Sequence, residues 1–521
     1  TGNAGTFGGL EYTIKNLNGL RLKLEYDGTN YKSEGFPDGR ESFSFATTPV
    51  KSSDSDINFG IVYPVNEFVH LKLSFIKGNT INFGFSLSGN LGKKRSKLTK
   101  NNKQKRIIFS QTLKQENVDD EKLFKSLLLT LNPQDIFLQN ASVEGDTLKV
   151  NIAQSKFQSY PRTIGRVAST LDAVSPGKIK RFEISNENAG MQMYTASINR
   201  EIFTKYQNEN LYKLSSKEII LSQSTKSEKS YIFNPKVSYP EIFWSLSPDM
   251  RTQVGGPDGF FLADLRIGFN AEVVMQKGFT LLTAGSIGVY DGFADLNYNP
   301  DSVLPHVRTD AVLYLKNSKD YGMTRFQINK FAKLSHNIYS KFSIGMLEEM
   351  FGGFGGEILY RPFHSNYAIG AELWSLKQRD YNKNFTFQDY DVVSGHINLF
   401  YQEPRSQVLF AIRGGRFLAK DSGINFDFSR RFKSGLRMGA FFALTDISEF
   451  EFGEGSFDKG FYFHIPIEIF LGNYSTENYA NGIRPITRDG AAILDNAHWL
   501  WGLTDRAQKK NITRDWDDLY E

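Results

Sequence analysis

Residues 461–470 alternate without a break. Phe461, Phe463, Ile465, Ile467 and Ile469 fall on one face, and Tyr462, His464, Pro466 and Glu468 share the other with Phe470. A period of two predicts a β-strand with one apolar side. The scheme recurs near the start of the chain, in Leu20–Tyr26, Val69–Phe75 and Ile81–Leu87, with polar residues such as Arg21, Lys23 and Glu25 between the apolar ones. Asn18-Gly19, Asp27-Gly28, Pro64 to Asn66 and Gly78-Asn79 separate these runs as turns. The alternation returns over residues 256–472, with clear strands at Leu265–Val273, Tyr367–Leu373, Val393–Tyr401, Val408–Gly414 and Leu436–Leu444, and about twelve in all. Tight connections at 276–278, 364–366, 403–405 and 433–435 mix with longer polar ones at 291–306, 380–388 and 446–459. This strand count leaves long connections on both rims, so at least one strand between 291 and 353 is misplaced in it.

Between the two strand regions the period changes. Val118–Leu131 carries acids at its start and apolar residues at helical spacing, and Asn132-Pro133 stops it. Strands over Ile136–Ala141 and Thr147–Ile152, a helix over Thr163–Ala173 and a strand over Ile179–Ile184 complete an α/β module spanning 117–205. Residues 91–116 read as a basic linker, with eight cations and no acid between Lys93 and Arg106. Such a run is a solvated segment or a contact for an acidic polymer or lipid headgroups. Residues 206–255 read as a second linker and 473–521 as a C-terminal tail.

Composition favours an all-β architecture around that module. Forty-four Phe, 24 Tyr and 45 Gly accompany few helical runs. Mean hydropathy is −0.38, and no apolar run reaches the ~18 residues of a transmembrane helix. Membrane β-strands escape that test, because only half of their residues meet lipid. Periodicity alone does not separate a sandwich, whose polar face is outside, from a membrane barrel, whose polar face lines the lumen. The chain has no cysteine, which removes disulfides and thiol chemistry and suits an envelope protein. No signal peptide opens it, and residue 1 runs almost directly into strand pattern, as at a cut.

A set of motifs spans most of the chain: Phe7–Tyr12, Leu20–Gly28, Gly78–Thr80, Gly255-Gly-Pro257, Leu304–Thr309, Gly345–Gly353, Gly356–Phe363, Lys377–Asp380, Ser394-Gly-His396, Phe452–Gly460 and Arg484–Gly490. In order and spacing they resemble the YjbH/GfcD outer-membrane proteins of exopolysaccharide and group 4 capsule gene clusters. The resemblance implies tandem transmembrane antiparallel β-barrels with a small periplasmic α/β domain inserted between them. The first barrel is then represented by the C-terminal strands in residues 1–90 and the second by residues 256–472. Five strands are too few to close a barrel, whose usual minimum is about eight, so the first is expected to be incomplete here, its remainder and any lipoprotein cysteine lying ahead of residue 1.

Candidate chemistry is sparse. Seven histidines are scattered without ligand spacing, and no metal or cofactor is expected. Glu348-Glu349 and the acids Glu449, Glu451, Glu454 and Asp458 could pair for glycoside hydrolysis; solvated or Arg-paired acids are the plainer reading. Gly352–Gly356 lacks any phosphate-loop context, and a tight loop or close strand approach explains it better. Phe452–Gly460 reads as a loop ordered by a Glu–Lys pair and glycines, or as a glycan contact through Glu454, Asp458 and Lys459. Of the arginines at strand positions or ends, Arg266, Arg361, Arg379, Arg413, Arg416, Arg430 and Arg437, several share the polar phase. They either pair with inward acids (Asp264, Glu272, Glu357, Glu372, Asp427) or form a basic lumen that attracts anionic polysaccharide.

The expectation is a non-enzymatic outer-membrane protein that assists secretion or surface assembly of an extracellular or capsular polysaccharide. Its implied partners are outer-membrane lipid, the polysaccharide, and periplasmic and outer-membrane export proteins of the same cluster; no nucleic acid is expected. The rivals are a barrel hydrolase or acyltransferase acting on glycan or lipid, and a soluble β-sandwich lectin.

Overall fold

The computed structural model describes residues 6–28, 54–66, 69–87, 119–209, 217–223, 233–235, 241–256, 259–294, 296, 302–317, 319–453, 455–470, 474–484 and 488–520. The basic segment 91–116, Glu454 and most of 206–240 lie outside these residues. The chain divides into two compact units, residues 1–91 with 254–261, and residues 92–253 with 262–521.

In the first unit, β1 (Phe7–Ile14), β2 (Leu20–Asp27), β3 (Ile57–Pro64), β4 (Val69–Ile76) and β5 (Thr80–Leu87) form an antiparallel sheet in sequence order. Asn18 and Gly19, at φ 54° and 76°, make the left-handed turn from β1 to β2. The register stacks the apolar phase into rows across all five strands: Leu10, Leu24, Phe59, Phe75 and Ile81, then Tyr12, Leu22, Ile61, Leu73 and Phe83. These side chains stand in the open, Ile81 at 74% and Phe83 at 69%. The opposite face carries Glu11, paired with Lys23 at 2.8 Å and Arg21 at 3.7 Å.

The second unit begins with the α/β module. Its helix Asp120–Leu131 is capped by Asp119 and buries Leu123, Phe124, Leu127 and Leu131. The helix Tyr160–Val174 starts three residues before the expected Thr163, because Pro161 is accepted in a first helical turn. The two helices pack with a sheet of β6 (Ile136–Glu144), β7 (Thr147–Gln154), β8 (Arg181–Asn188), β9 (Met191–Asn199) and β10 (Ile220–Gln223). Only the β7–β8 pair is parallel.

A thirteen-stranded antiparallel sheet follows in sequence order. It comprises β11 (Glu241–Gly256), β12 (Gly259–Val274), β13 (Phe279–Tyr290), β14 (Tyr321–Ser335), β15 (Ile338–Met346), β16 (Phe351–Tyr360), β17 (Tyr367–Arg379), β18 (Phe387–Gln402), β19 (Val408–Arg416), β20 (Ser422–Arg431), β21 (Arg437–Thr445), β22 (Lys459–Pro466) and β23 (Asn478–Ile483). Among the described residues no ladder joins β23 back to β11. The sheet is longer than expected at both ends. β11 occupies part of the expected 206–255 linker and β23 part of the expected tail. The alternation at 461–470 also stops early: after Pro466 the chain turns into a 3-10 helix over Ile467–Ile469.

Meandering order sorts the connections onto two rims. Even-numbered strands lead into 275–278, 336–337, 361–366, 403–407, 432–436 and 467–477; odd-numbered strands lead into 291–320, 347–350, 380–386, 417–421 and 446–458. The long stretch 291–320 is a single connection carrying the helix Ala311–Asn317. That resolves the strand count, because every long polar connection picked out from the sequence now lies on the second rim. The α/β module meets the first rim. Thr476 donates to the Ser155 carbonyl (2.9 Å), Lys333 to the Gln192 carbonyl (2.7 Å), and Arg162 lies over the Tyr474 ring at 4.2 Å.

The two faces of the large sheet invert the usual partition. Strand β17 alternates exposed and buried along its length. Ile369 (46%) and Leu373 (63%) are exposed, while Glu372 (8%) and Trp374 (1%) are buried. Ile267, Phe269, Ile328, Ile344, Ile358, Ile397, Leu399, Phe410, Ile424 and Phe428 also stand exposed, while Arg266, Gln327, Asn329, Lys341, Ser343, Glu357, His396 and Asn398 are buried. In a protein folded against water the buried face is the apolar one. Here the sheet is apolar outside and polar inside.

Candidate functional site: a polar interior threaded by the C-terminal segment

The buried polar face is filled by residues 488–519, which cross from the long-loop rim to the short-turn rim. At the start, Asp489 accepts from the backbone N–H of Arg308 (2.7 Å) and Thr309 (3.0 Å) and from the Thr309 hydroxyl (2.7 Å). Asp421, in the β19–β20 connection, takes the Ala491 N–H at 2.8 Å. Glu348 receives a two-pronged bond from Arg308 (2.8 and 3.1 Å) and also holds the Asp495 N–H at 2.6 Å.

Midway, Lys341 reaches Asn496 and the Ala497 carbonyl, and Glu357 accepts from Asn496 and, at 3.0 Å, from the Leu500 N–H. His498 approaches Glu272 on β12 at 3.6 Å, whereas Trp499 lies under Arg413 of β19 at 4.5 Å. One short segment therefore touches strands from both halves of the sheet, which curls around it. Trp501 is stacked on Phe400, with centroids 4.2 Å apart, and lies 3.6 Å from the Arg361 guanidinium. Arg361 also donates to the Trp501 carbonyl (3.0 Å), Thr504 (2.9 Å) and Asp505 (2.8 Å).

At the far rim Asp515 takes Arg431 at 2.8 Å, and Asp518 lies 3.4 Å from Arg162 of the α/β module. The Leu519 carbonyl sits where a Cβ on Gly165 would be, so only glycine allows this approach to the Tyr160–Val174 helix. The Asn188 side chain donates to the Leu503 carbonyl at 3.1 Å. The module core and this end of the sheet interior share one continuous hydrophobic cluster that includes Leu171, Tyr194, Phe400, Trp501 and Leu519.

The residues singled out from the sequence are dispersed through this interior and its edges. Arg266 is buried against Asp264 (3.2 Å) and Ser286 (2.7 Å). Arg413 bonds Asn398 at 3.0 Å and lies 3.6 Å from Glu372, which also meets His396 at 3.1 Å. Arg379 is spent on the carbonyls of Met323 (2.8 Å), Glu348 (2.8 Å) and Lys383 (2.6 Å), tying the long-loop rim together. Arg416 is exposed at the end of β19, and Arg430 stands on the exposed apolar phase of β20 with Ile424 and Phe428, over the Phe432 ring at 5.1 Å. The inward arginine there is Arg431. Lys459 donates to the Gly455 carbonyl (2.7 Å) and lies over Phe457, Asp458 faces Arg484 at 3.6 Å, and Glu454 lies outside the described residues. Glu451 is occupied by the Ser448 cap.

The paired acids Glu348 and Glu349 do not share a site. The first is forked by Arg308, and the second holds Arg251 at 2.9 Å and Lys383. Gly352–Gly356 belongs to β16, where a Cβ on Gly355 would strike the buried Trp374 ring. Among the described residues, no three His, Cys, Asp or Glu side chains converge as a metal site, and no helix is long and apolar enough to cross a membrane. Sequence reasoning missed the C-terminal segment. Its signal was the spacing of Asp489, Asp495, Asp505, Asp515 and Asp518 around Trp499 and Trp501, acids in number to meet the inward arginines.

Comparison with known proteins sets this arrangement in a family. The family described as exopolysaccharide biosynthesis protein YbjH matches residues 1–506. A protein of Escherichia coli (strain K12) named uncharacterized lipoprotein YjbH is 31% identical over 523 residues, taking in 96% of this chain and 70% of that protein. A match over nearly the whole chain, reaching into the threading segment as far as residue 506, means that this chain belongs to the YjbH family of exopolysaccharide biosynthesis proteins.

Proposed function

We propose that this chain is a non-enzymatic outer-membrane β-barrel protein that assists secretion or surface assembly of an exopolysaccharide. The observation that carries the reading is the inverted partition of the thirteen-stranded sheet, apolar outside and charged inside. Water on both faces would leave those Ile, Leu and Phe side chains unburied at about 25 cal/mol per Å², whereas hydrocarbon solvates them without cost. Mostly short turns on one rim, and the long polar connections 291–320, 380–386 and 446–458 on the other, match the periplasmic and external ends of such barrels. The α/β module, on the short-turn rim, then faces the periplasm, where export proteins of the same cluster are its partners. A relative named as a lipoprotein is in keeping with an envelope address.

With its lumen occupied by residues 488–519, the protein acts beside a separate export channel and is not itself the open pore. The test joins two measurements. Deleting the gene abolishes or sharply lowers surface polysaccharide, and the purified protein in a planar bilayer conducts almost nothing. A large steady conductance argues for a pore, and unchanged polysaccharide argues against any role in its production. Alanine at Glu451, Glu454 and Asp458 addresses the enzymatic alternative: these variants keep polysaccharide output in the accessory reading and lose turnover in the other.

A further inference from the structure

The most unusual electrostatics lie where the threading segment leaves the sheet interior at the short-turn rim. A small cavity there, about 10 Å³ and so room for a single oxygen-sized group, is lined by Arg431, Arg437, Trp501, Asp505, Asn511 and Arg514, among others. Arg431 Nε, Arg437 Nε, Arg514 Nη1 and Trp501 Nε1 are all buried and meet no acceptor among the described residues. Four side chains lining one space thus each carry a buried donor without an acceptor, although each buried donor left unmade costs about 1–3 kcal/mol.

The charges do not balance either. Asp515 takes Arg431 (2.8 Å) and Arg514 (2.7 and 2.9 Å), and Asp505 takes Arg361 (2.8 Å). With Arg437, four guanidiniums face two carboxylates. Asp427, on the wall of the next cavity and engaged by the Tyr462 hydroxyl at 2.9 Å, still leaves one positive charge over. Buried charge without a counter-charge is strongly unfavourable. That second cavity, about 90 Å³, shares Arg437 and Trp501 and adds the side chains of Asn398, Arg413 and Asn425.

We propose that the paired cavities bind one acidic sugar unit. One oxygen of its oxyanion, a carboxylate or an ester phosphate, enters the narrow arginine cavity, while the ring and its hydroxyls reach into the wider one. The guanidinium donors suit a planar or tetrahedral oxyanion, the narrow cavity is too small for a sugar ring, and a neutral hydroxyl would leave the excess charge standing. The assignment rests on the exopolysaccharide reading for the source of the ligand, and it narrows that reading to an anionic polymer.

The test titrates the full chain in detergent with glucuronate, methyl glucoside and inorganic phosphate, following tryptophan fluorescence and calorimetry. Glucuronate is expected to bind saturably and at least about tenfold more tightly than methyl glucoside, and Arg437→Gln or Arg514→Gln to weaken it by about tenfold, the loss of one charge-assisted bond. Arg514→Gln lies outside the strands, so it reads the site even if Arg437→Gln fails to assemble. Phosphate binding without glucuronate binding overturns the glycan assignment in favour of a free phosphate or lipid headgroup. Equal binding of glucuronate and methyl glucoside, or no binding of either, overturns the site. Lost glucuronate binding beside gene-dependent polysaccharide counts against this site alone, whereas intact binding beside unchanged polysaccharide counts against the proposed function alone.

Discussion

Arg361 shows how a single side chain fixes the threading segment. Its guanidinium meets Asp505 and Thr504, and lies 3.6 Å from the Trp501 ring. Arg361→Ala strands Asp505 in a buried site and is expected to cost about 3–5 kcal/mol, read as a lowered urea midpoint in lipid vesicles. Burial pushes the Glu187 carboxyl up, while the Asn151 amide at 2.9 Å pulls the other way. The folded state therefore holds this proton to higher pH than the unfolded chain does. Stability falls as pH rises from the ordinary carboxylate range through the folded pKa of Glu187 and then levels. Glu187→Gln is expected to remove that slope, seen as a difference between paired urea midpoints across acidic pH. Arg361 was legible in the sequence as an inward arginine, but its partner was not. Asp505 is 144 residues away, and no local period connects them.

At the scale of the element, strands that alternate cleanly could be read directly, because period two is a local property. Strand β11 could not. Its Ser245, Ser247, Asp249 and Arg251 look like linker, yet Ile242, Trp244 and Leu246 on the alternate phase are exposed at 60%, 71% and 63%. A strand with a polar lumen face carries the composition of a loop on every second residue. Leu373→Arg, on the exposed phase of β17, separates the two environments. In hydrocarbon it costs about 2–4 kcal/mol near the midplane, whereas at a water-exposed site such changes stay within about 0.5 kcal/mol. The segment 488–520 has no strand or long-helix pattern and reads as a tail, because its order comes from partners spread over the sheet. Deleting it is expected to raise single-channel conductance from near zero to a steady open level. A truncated protein that assembles and stays closed would mean that other residues block the lumen.

At the scale of the molecule, the sequence carried the mainly β architecture and the inserted α/β module, and the structure supplied the sidedness. Sidedness emerged only when 291–320 proved to be a single connection, which put the three long polar connections read from the sequence opposite the module. The central claim is that the exposed apolar phase is solvated by lipid. Since the chain has no cysteine, a nitroxide can be attached at one engineered cysteine at a time along β17 in lipid vesicles. Collision rates with oxygen, which concentrates in hydrocarbon, and with a water-soluble nickel chelate then report each position. The account predicts oxygen maxima at Ile369, Ala371 and Leu373 and minima at Ala368, Gly370 and Glu372. Nickel access at 369, 371 and 373, or no alternation at all, would contradict it.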